Sequence, residues 1–150
     1  MNIRILKTLS SFFLFIFLSN ELLADQGISS DQILIGMHTD ISGPASMIGK
    51  QSVDGANMRF NEFNENGGAF GRTIKLIVED HQYTVPRAVQ AANKLLRKDK
   101  VAFMMGSLGT PMNNAVMTDQ LAMNVPNLFP LTAARSMFDP FDRLKFTSGS

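Results

Sequence analysis

Cysteine is absent from the 150-residue sequence, and histidine occurs only twice. Without cysteine there can be no disulfide, no thiol nucleophile and no cysteine ligand for zinc. The fold must therefore be held together by its apolar core alone. The two histidines, His38 and His81, have no second ligand at the spacing of a metal site, so we expect neither a metal nor a cofactor.

The first 24 residues show the order of features found in a secretory signal peptide. Arg4 and Lys7 precede an apolar block at residues 12–18, and the segment ends on a small residue, Ala24. A polar stretch at residues 19–21 interrupts the apolar run, which falls well short of the roughly 20 residues of a membrane-spanning helix. We expect cleavage after Ala24 and export to the periplasm, without a lipid anchor because no cysteine is present to carry one.

The balance of charge argues against nucleic acid as a partner. Removing the signal segment takes Arg4, Lys7 and Glu21 from the 14 basic and 13 acidic side chains, which leaves the two signs equal in number. A nucleic-acid binder is expected to carry a basic excess or patch. The short basic run at residues 97–100 fits a solvated helix end instead.

Short apolar runs alternate with amphipathic segments through the rest of the chain. The runs predict strands at residues 32–37, 73–78, 101–105, 125–130 and 143–147. Helices are predicted between them: one ending at residues 66–68, one capped by Thr84 and running to Lys100, and one from Thr110 to about Met123. This alternation predicts an α/β fold with an open parallel sheet and helices on both faces.

Sequence motifs of common enzymes are missing. No G-x-S-x-G elbow occurs, and the first loop between strand and helix lacks the G-x-G-x-x-G that brings backbone close to a pyrophosphate. We therefore predict that the protein is not an enzyme. A dinucleotide-binding enzyme domain is the alternative, because Asp80 follows the second predicted strand as an acidic residue does in such domains.

Ligands of an open parallel sheet bind beyond the carboxyl ends of its strands. Three loops should meet there, at residues 39–49, 106–110 and 131–135. The second loop places two glycines and two hydroxyls at a helix N-terminus, where unpaired N–H groups favour an anion such as a carboxylate. Alternatively, Thr110 only caps the helix.

Other polar residues near this edge each have two interpretations. Asp40 and Asp80 could hold a ribose or a cation, or they could be solvated caps. Arg135 could meet an anionic ligand, or it could lie on the surface. The Ser42-Gly43-Pro44 sequence fits a tight turn.

Five stretches of the sequence, taken in order, resemble the periplasmic binding proteins for branched-chain amino acids and related small molecules, the leucine/isoleucine/valine-binding type. They are Ile35-Gly36 with Ser42-Gly43-Pro44 and Gly49; Asn64-Glu65-Asn66-Gly67-Gly68 with Gly71-Arg72; Val78-Glu79-Asp80; the run from Ala88 to Leu95; and Val125-Pro126 through Phe129-Pro130. The resemblance covers about residues 30–150.

The resemblance implies two Rossmann-like lobes, joined by a hinge, that close on a small ligand such as an amino acid or an amide. Residues 25–150 would be the incomplete N-terminal part of the first lobe, with the second lobe absent. The expected role is delivery of the ligand to the permease of an ABC transporter. A periplasmic sensor domain of the same fold is the alternative, which the fold cannot separate from transport.

The resemblance also assigns the residues of the ligand site. In such proteins the loop after the third strand offers a hydroxyl and N–H groups to the ligand carboxylate, and this role falls on Thr110. The loop after the fourth strand corresponds to Leu131, Thr132 and Ala133. Ile48 stands where leucine binders often carry an aromatic residue, which leaves the identity of the ligand open.

Overall fold

A computed structural model describes residues 26–147, so the predicted signal segment lies outside the described residues. Strands and helices alternate along the chain, as the sequence predicts. The elements are β1 (Gln32–Thr39), α1 (Ser46–Glu65), β2 (Thr73–Asp80), α2 (Val85–Asn93) with a π-helical turn (Lys94–Lys98), β3 (Phe103–Met105), α3 (Thr110–Ala122), β4 (Asn127–Leu128), a 3-10 helix (Arg135–Met137) and β5 (Lys145–Phe146).

The five strands form one parallel sheet in the order β2-β1-β3-β4-β5. The chain leaves β1 towards β2, then crosses back over β1 to β3 and continues in that direction. Right-handed crossovers in opposite directions place helices on opposite faces of a sheet. Accordingly α1 covers one face, while α2 and α3 pack against each other on the other. The predicted α/β sheet with helices on both faces is confirmed.

The main core lies between the sheet and the pair of helices α2 and α3. Removal of its apolar side chains from water is the main stabilising term of the fold. They are Ala92, Leu95, Leu96, Val101, Met104, Val116 and Val125.

Helix α1 has the apolar face and the end that its sequence predicts. The four residues expected on one face are all half-buried: Val53, Ala56, Phe60 and Phe63. After the helix, Gly67 and Gly68 have φ values of 98° and 63°. The Gly68 N–H donates to the Phe63 carbonyl over 2.9 Å, which satisfies one of the last carbonyls of the helix.

The strand lengths predicted from apolar runs are only partly correct. Strands β1 and β2 extend two residues further, to Thr39 and Asp80, whereas the other three strands are shorter than predicted. Val101 is fully buried, but its N–H donates to the Leu95 carbonyl, so it packs in the core without joining the sheet. Strand β4 is confined between Pro126 and Pro130, neither of which can donate to a ladder.

The side-chain hydrogen bonds expected of the helix caps do not form. Thr84 and Gly109 occupy the N-cap positions of α2 and α3, and neither helix has a side-chain cap. The Thr84 hydroxyl donates instead to the His81 carbonyl, at 3.2 Å. Thr110, for which capping of α3 was the alternative to anion binding, is already the first helical residue. Helix α2 ends at Asn93 and continues as the π-helical turn, not as an α-helix to Lys100.

Candidate functional site

The reversal of direction in the sheet creates a crevice between the carboxyl ends of β1 and β3. In open α/β sheets this topological switch point is where ligands bind. Two loops border it, residues 40–45 after β1 and residues 106–109 after β3. The loops after β2 and β4 flank them on either side, because these strands are the outer neighbours of β1 and β3.

The loop at residues 106–109 is tied to all three neighbouring strand ends. The Leu108 N–H donates to the His38 carbonyl at the end of β1. The Leu108 carbonyl lies 3.1 Å from His81 Nε2, just after β2. On the β4 side, the Leu131 N–H donates to the Ser107 carbonyl over 2.9 Å. The backbone of this loop, at the bottom of the crevice, is therefore held in place by hydrogen bonds to its neighbours on both sides.

A buried amide that the sequence did not single out completes this loop. Asn113, in the first turns of α3, is 1% exposed, and its Nδ2 donates to the Ser107 and Gly109 carbonyls at 2.9 Å each. Gly106 and Gly109 have φ values of 64° and 95°, which residues other than glycine rarely adopt. The glycines allow the loop to turn, and Asn113 holds it in place.

Thr110 and Thr132 meet directly above this loop, although they are 22 positions apart. Their hydroxyl oxygens share a hydrogen bond, in which either can be the donor. Thr132 Oγ1 also accepts from the Ala134 N–H over 3.2 Å. Two hydroxyls carry two protons, and only one lies between the oxygens, so the pair always retains one proton for a further acceptor.

The other predicted site residues lie around this hydroxyl pair or along the same edge of the sheet. Leu131 and Ala133 are exposed on either side of Thr132. Ile48 belongs to the first turn of α1, not to a loop, and is 50% exposed. Arg135 is a surface residue whose Nε donates to Asp139 Oδ2 at 2.6 Å, which favours the interpretation without a ligand.

Asp40 and Asp80 hold the first loop in shape. The Asp40 carboxylate accepts from the Gly43 and Ala45 N–H groups at 2.5 and 2.7 Å. Asp40 is fully buried, so its interpretation as a solvated cap is wrong. The carboxylate also leaves no room for a side chain at Gly43, where a Cβ atom would stand 2.8 Å from Asp40 Oδ1.

Asp80 joins the first loop to the end of β2. Its carboxylate accepts from the Ile41 and Gln82 N–H groups and from the Ser42 hydroxyl. Burial raises the pKa of Asp80, but these hydrogen bonds outweigh it and lower the pKa to about 2. Its oxygens are thus occupied by the protein's own donors, which argues against a ribose or cation contact.

The two histidines lie side by side, His38 near the end of β1 and His81 just after β2, with ring centroids 5.6 Å apart. His81 Nδ1 accepts from the Tyr83 N–H, so Nε2 carries the proton that it donates to the Leu108 carbonyl. This arrangement requires neutral His81. Burial lowers its pKa, although the Leu108 carbonyl and the carboxylates of Asp40 and Asp80 oppose the shift.

His38 is the more strongly perturbed of the two. It is fully buried, and neither ring nitrogen has a hydrogen-bond partner among residues 26–147. Burial, together with the charge that His81 would carry, lowers the pKa of His38 to about 3. His38 is therefore neutral at physiological pH.

Comparison with known proteins agrees with the fold. The sequence model of the periplasmic binding protein family matches residues 32–140. The chain belongs to this family. Leu/Ile/Val-binding protein BraC3 of Rhizobium johnstonii is 30% identical over 102 residues. The leucine-, isoleucine-, valine-, threonine- and alanine-binding protein of Pseudomonas aeruginosa is 29% identical over 83 residues.

A solved structure gives the same family relation. The substrate-binding periplasmic protein of Ralstonia solanacearum aligns with 77% of the chain at a TM-score of 0.72 and 27% identity. The alignments with the two binding proteins cover 68% and 55% of the chain. The same two alignments cover 27% and 22% of the binding proteins of Rhizobium johnstonii and Pseudomonas aeruginosa. The alignment with the solved structure covers 33% of the Ralstonia solanacearum protein. The chain therefore spans about a third or less of its relatives.

Residues 26–147 contain neither a membrane-spanning helix nor a metal-binding cluster. In that range, no helix has both the length and the apolar character needed to cross a membrane. Within the same residues, no cluster of three or more histidine and carboxylate side chains is arranged to hold a metal ion.

Proposed function

We propose that this chain forms part of a ligand-binding lobe of a periplasmic substrate-binding protein, which delivers a branched-chain amino acid or a related small molecule to an ABC transporter permease. The observation that carries the proposal is the hydroxyl pair of Thr110 and Thr132 at the switch point of the sheet. The names of the similar binding proteins support the same class of ligand. In this account the protein is not an enzyme and needs no cofactor.

The start of α3 has the chemistry to bind the ligand carboxylate. The first N–H groups of a helix have no partner within it, and they lie at the positive end of its dipole. Pro111 has no N–H, so the donors of this turn are the amides of Thr110 and Met112. Together with the free proton of the hydroxyl pair, they present three donors to an anion.

The loop at residues 131–133 supplies groups of the opposite kind. Its carbonyl oxygens can accept from an ammonium group, and the exposed Leu131 side chain offers apolar surface. An amino acid bound in this way places its carboxylate on α3 and its ammonium group towards the loop after β4. Residues of a second lobe would then contact the ligand from above and shift an open–closed equilibrium towards the closed form.

Replacing Thr110 tests the proposal, in the whole protein that contains this sequence. Thr110→Ala removes a hydroxyl from the carboxylate site, and losing a hydrogen bond to a charged group costs about 1.5–3 kcal/mol, roughly tenfold or more in affinity. Calorimetry with branched-chain amino acids, small amides and aromatic acids measures the dissociation constants. Thr110→Ser keeps the hydroxyl and should retain most of the affinity.

Thr118→Ala is the matched control, because Thr118 is an exposed residue of the same helix and lies two turns from its start. It should leave every dissociation constant unchanged. An equal effect of Thr118→Ala and Thr110→Ala, or no effect of either, would remove Thr110 from the site.

A further inference from the structure

An aromatic side chain that the sequence did not single out lies beside the start of α3. Tyr83 follows β2, and its ring packs against Gly109, the residue before Thr110. A Cβ atom built on Gly109 would stand 3.3 Å from Tyr83 Cε2 and 3.6 Å from Cζ. Tyr83 as a residue is still 41% exposed, although its ring packs against Gly109.

The backbone that carries this ring is held in an uncommon conformation. Gln82 and Tyr83 have φ values of 48° and 56°, a left-handed region that costs roughly 1–2 kcal/mol for each residue with a side chain. Both N–H groups donate back to the end of β2, that of Gln82 to Asp80 and that of Tyr83 to His81. Strain of this kind persists where the surroundings fix it, and it is concentrated at ligand sites.

Tyr83 and Leu131 stand on opposite sides of Gly109. The Tyr83 ring touches Gly109 from the β2 side, and on the β4 side the Gly109 N–H donates to the Leu131 carbonyl. Both side chains are partly exposed. The polar start of α3 is therefore bordered by the Tyr83 ring on one side and by the backbone of Leu131 on the other.

We propose that the Tyr83 ring is a specificity-determining wall of the ligand site, which favours ligands with an apolar side chain over small ones. The inference rests on the proposed function, since it takes the ligand carboxylate to lie on Thr110. A carboxylate fixed there leaves the ligand side chain within reach of the neighbouring ring. Apolar contact with the ring then adds affinity in proportion to the area removed from water.

The first test observes the Tyr83 ring directly in the whole protein, without any substitution at Tyr83. Tyr83 is the only tyrosine of these 150 residues, and in the whole protein the Tyr83→Phe variant identifies its resonance after labelling with 3-fluorotyrosine. Fluorine NMR should show this resonance shift when leucine is added. Phe70→Ala is the control, and in this variant leucine should shift the Tyr83 resonance as before. Phe70 is also exposed and has a φ of 52°, but it precedes β2 at the opposite end of the sheet.

The second test measures selectivity by calorimetry with leucine and alanine. Tyr83→Asn removes the ring, and asparagine tolerates a positive φ. We expect Tyr83→Asn to weaken the binding of leucine about tenfold and the binding of alanine much less, because only the larger ligand side chain reaches the ring. Tyr83→Phe should keep the affinity for leucine, and Phe70→Asn should change neither ligand.

The outcomes separate this inference from the proposed function. Three results would overturn the role of Tyr83 and leave the proposed function intact. The first is a Tyr83 resonance that does not shift when leucine binds, and the second is an equal weakening of leucine and alanine binding in Tyr83→Asn. The third is a protein without substitutions that binds alanine as tightly as leucine. If Tyr83→Asn does not fold, the fluorine measurement decides. An unmodified protein that binds no amino acid, amide or aromatic acid contradicts the proposed function, and the inference fails with it.

Discussion

Gly49→Ala should destabilise the protein by about 3 kcal/mol, at the upper end of the usual cost of overpacking. Gly49 lies in the first turn of α1, where the helix crosses the end of β1. A Cβ atom there would stand 1.9 Å from the Asp40 carbonyl oxygen and 2.9 Å from Thr39 Oγ1. The carbonyl belongs to the backbone and cannot rotate away, so the helix must move off the strand. Urea unfolding measures the loss.

Gly55→Ala is the control for this prediction, because it makes the same substitution in the same helix. A Cβ atom at Gly55 would have no atom within 4 Å. There alanine only improves helix propensity, and the variant should gain roughly 0.5–1 kcal/mol. Equal stability of the two variants would show that the start of α1 does not pack on β1 as closely as described.

Acid should destabilise the protein well above the pH range in which carboxylates titrate. The pKa of His38 is about 3 in the folded protein and 6.5 when the chain is unfolded. Between these values the unfolded state binds the proton that the folded state excludes. The free energy of unfolding therefore loses nothing to His38 well above pH 6.5. Below that pH it approaches a fall of about 1.4 kcal/mol for each pH unit. From pH 7.5 to 4.5 the loss should reach roughly 3 kcal/mol.

His81 adds to the acid sensitivity in the same direction, because its pKa is also lowered. A proton on His81 Nδ1 would remove the acceptor of the Tyr83 N–H, which shapes the loop after β2. Ligand affinity should therefore decline together with stability below pH 6.5. Chemical unfolding at half-unit steps of pH measures the slope.

His38→Leu separates the contribution of the buried ring. Leucine is similar in volume, and it removes two ring nitrogens that have no hydrogen-bond partner among the described residues. The variant should be as stable as the unmodified protein at pH 7, or more stable, since burying an unpaired polar group costs about 1–3 kcal/mol. It should also lose less stability towards pH 4.5. The same slope in both proteins would show that His38 does not govern the acid response.

The parts of the fold that follow from local sequence were predicted correctly. The apolar face of α1 and the glycines that end it depend on residues within one helix, and both were found where expected. The apolar runs located all five strands but not their ends. A run such as residues 101–105 does not distinguish residues that pair in the sheet from residues that only pack, and Val101 only packs.

The details of the site depend on contacts between distant parts of the chain. The hydroxyl of Thr110 was available as a helix cap, but Thr132 brings a competing partner from 22 positions away. The contacts between Tyr83 and Gly109 and between the two histidines have no local signature. Asp40 is different, because an aspartate three residues before a glycine is a common turn pattern. That pattern could have shown that its carboxylate is used by its own loop.

The position of a bound ligand tests the central claim most directly. A crystal structure of the whole protein with its tightest ligand should place a ligand carboxylate oxygen within about 2.7–3.2 Å of Thr110 Oγ1 and of the first N–H groups of α3. The crevice between the ends of β1 and β3 should lie beneath the ligand. A ligand bound away from this crevice, or one that turns its carboxylate away from α3 and leaves the Thr110–Thr132 pair facing solvent, would contradict the account.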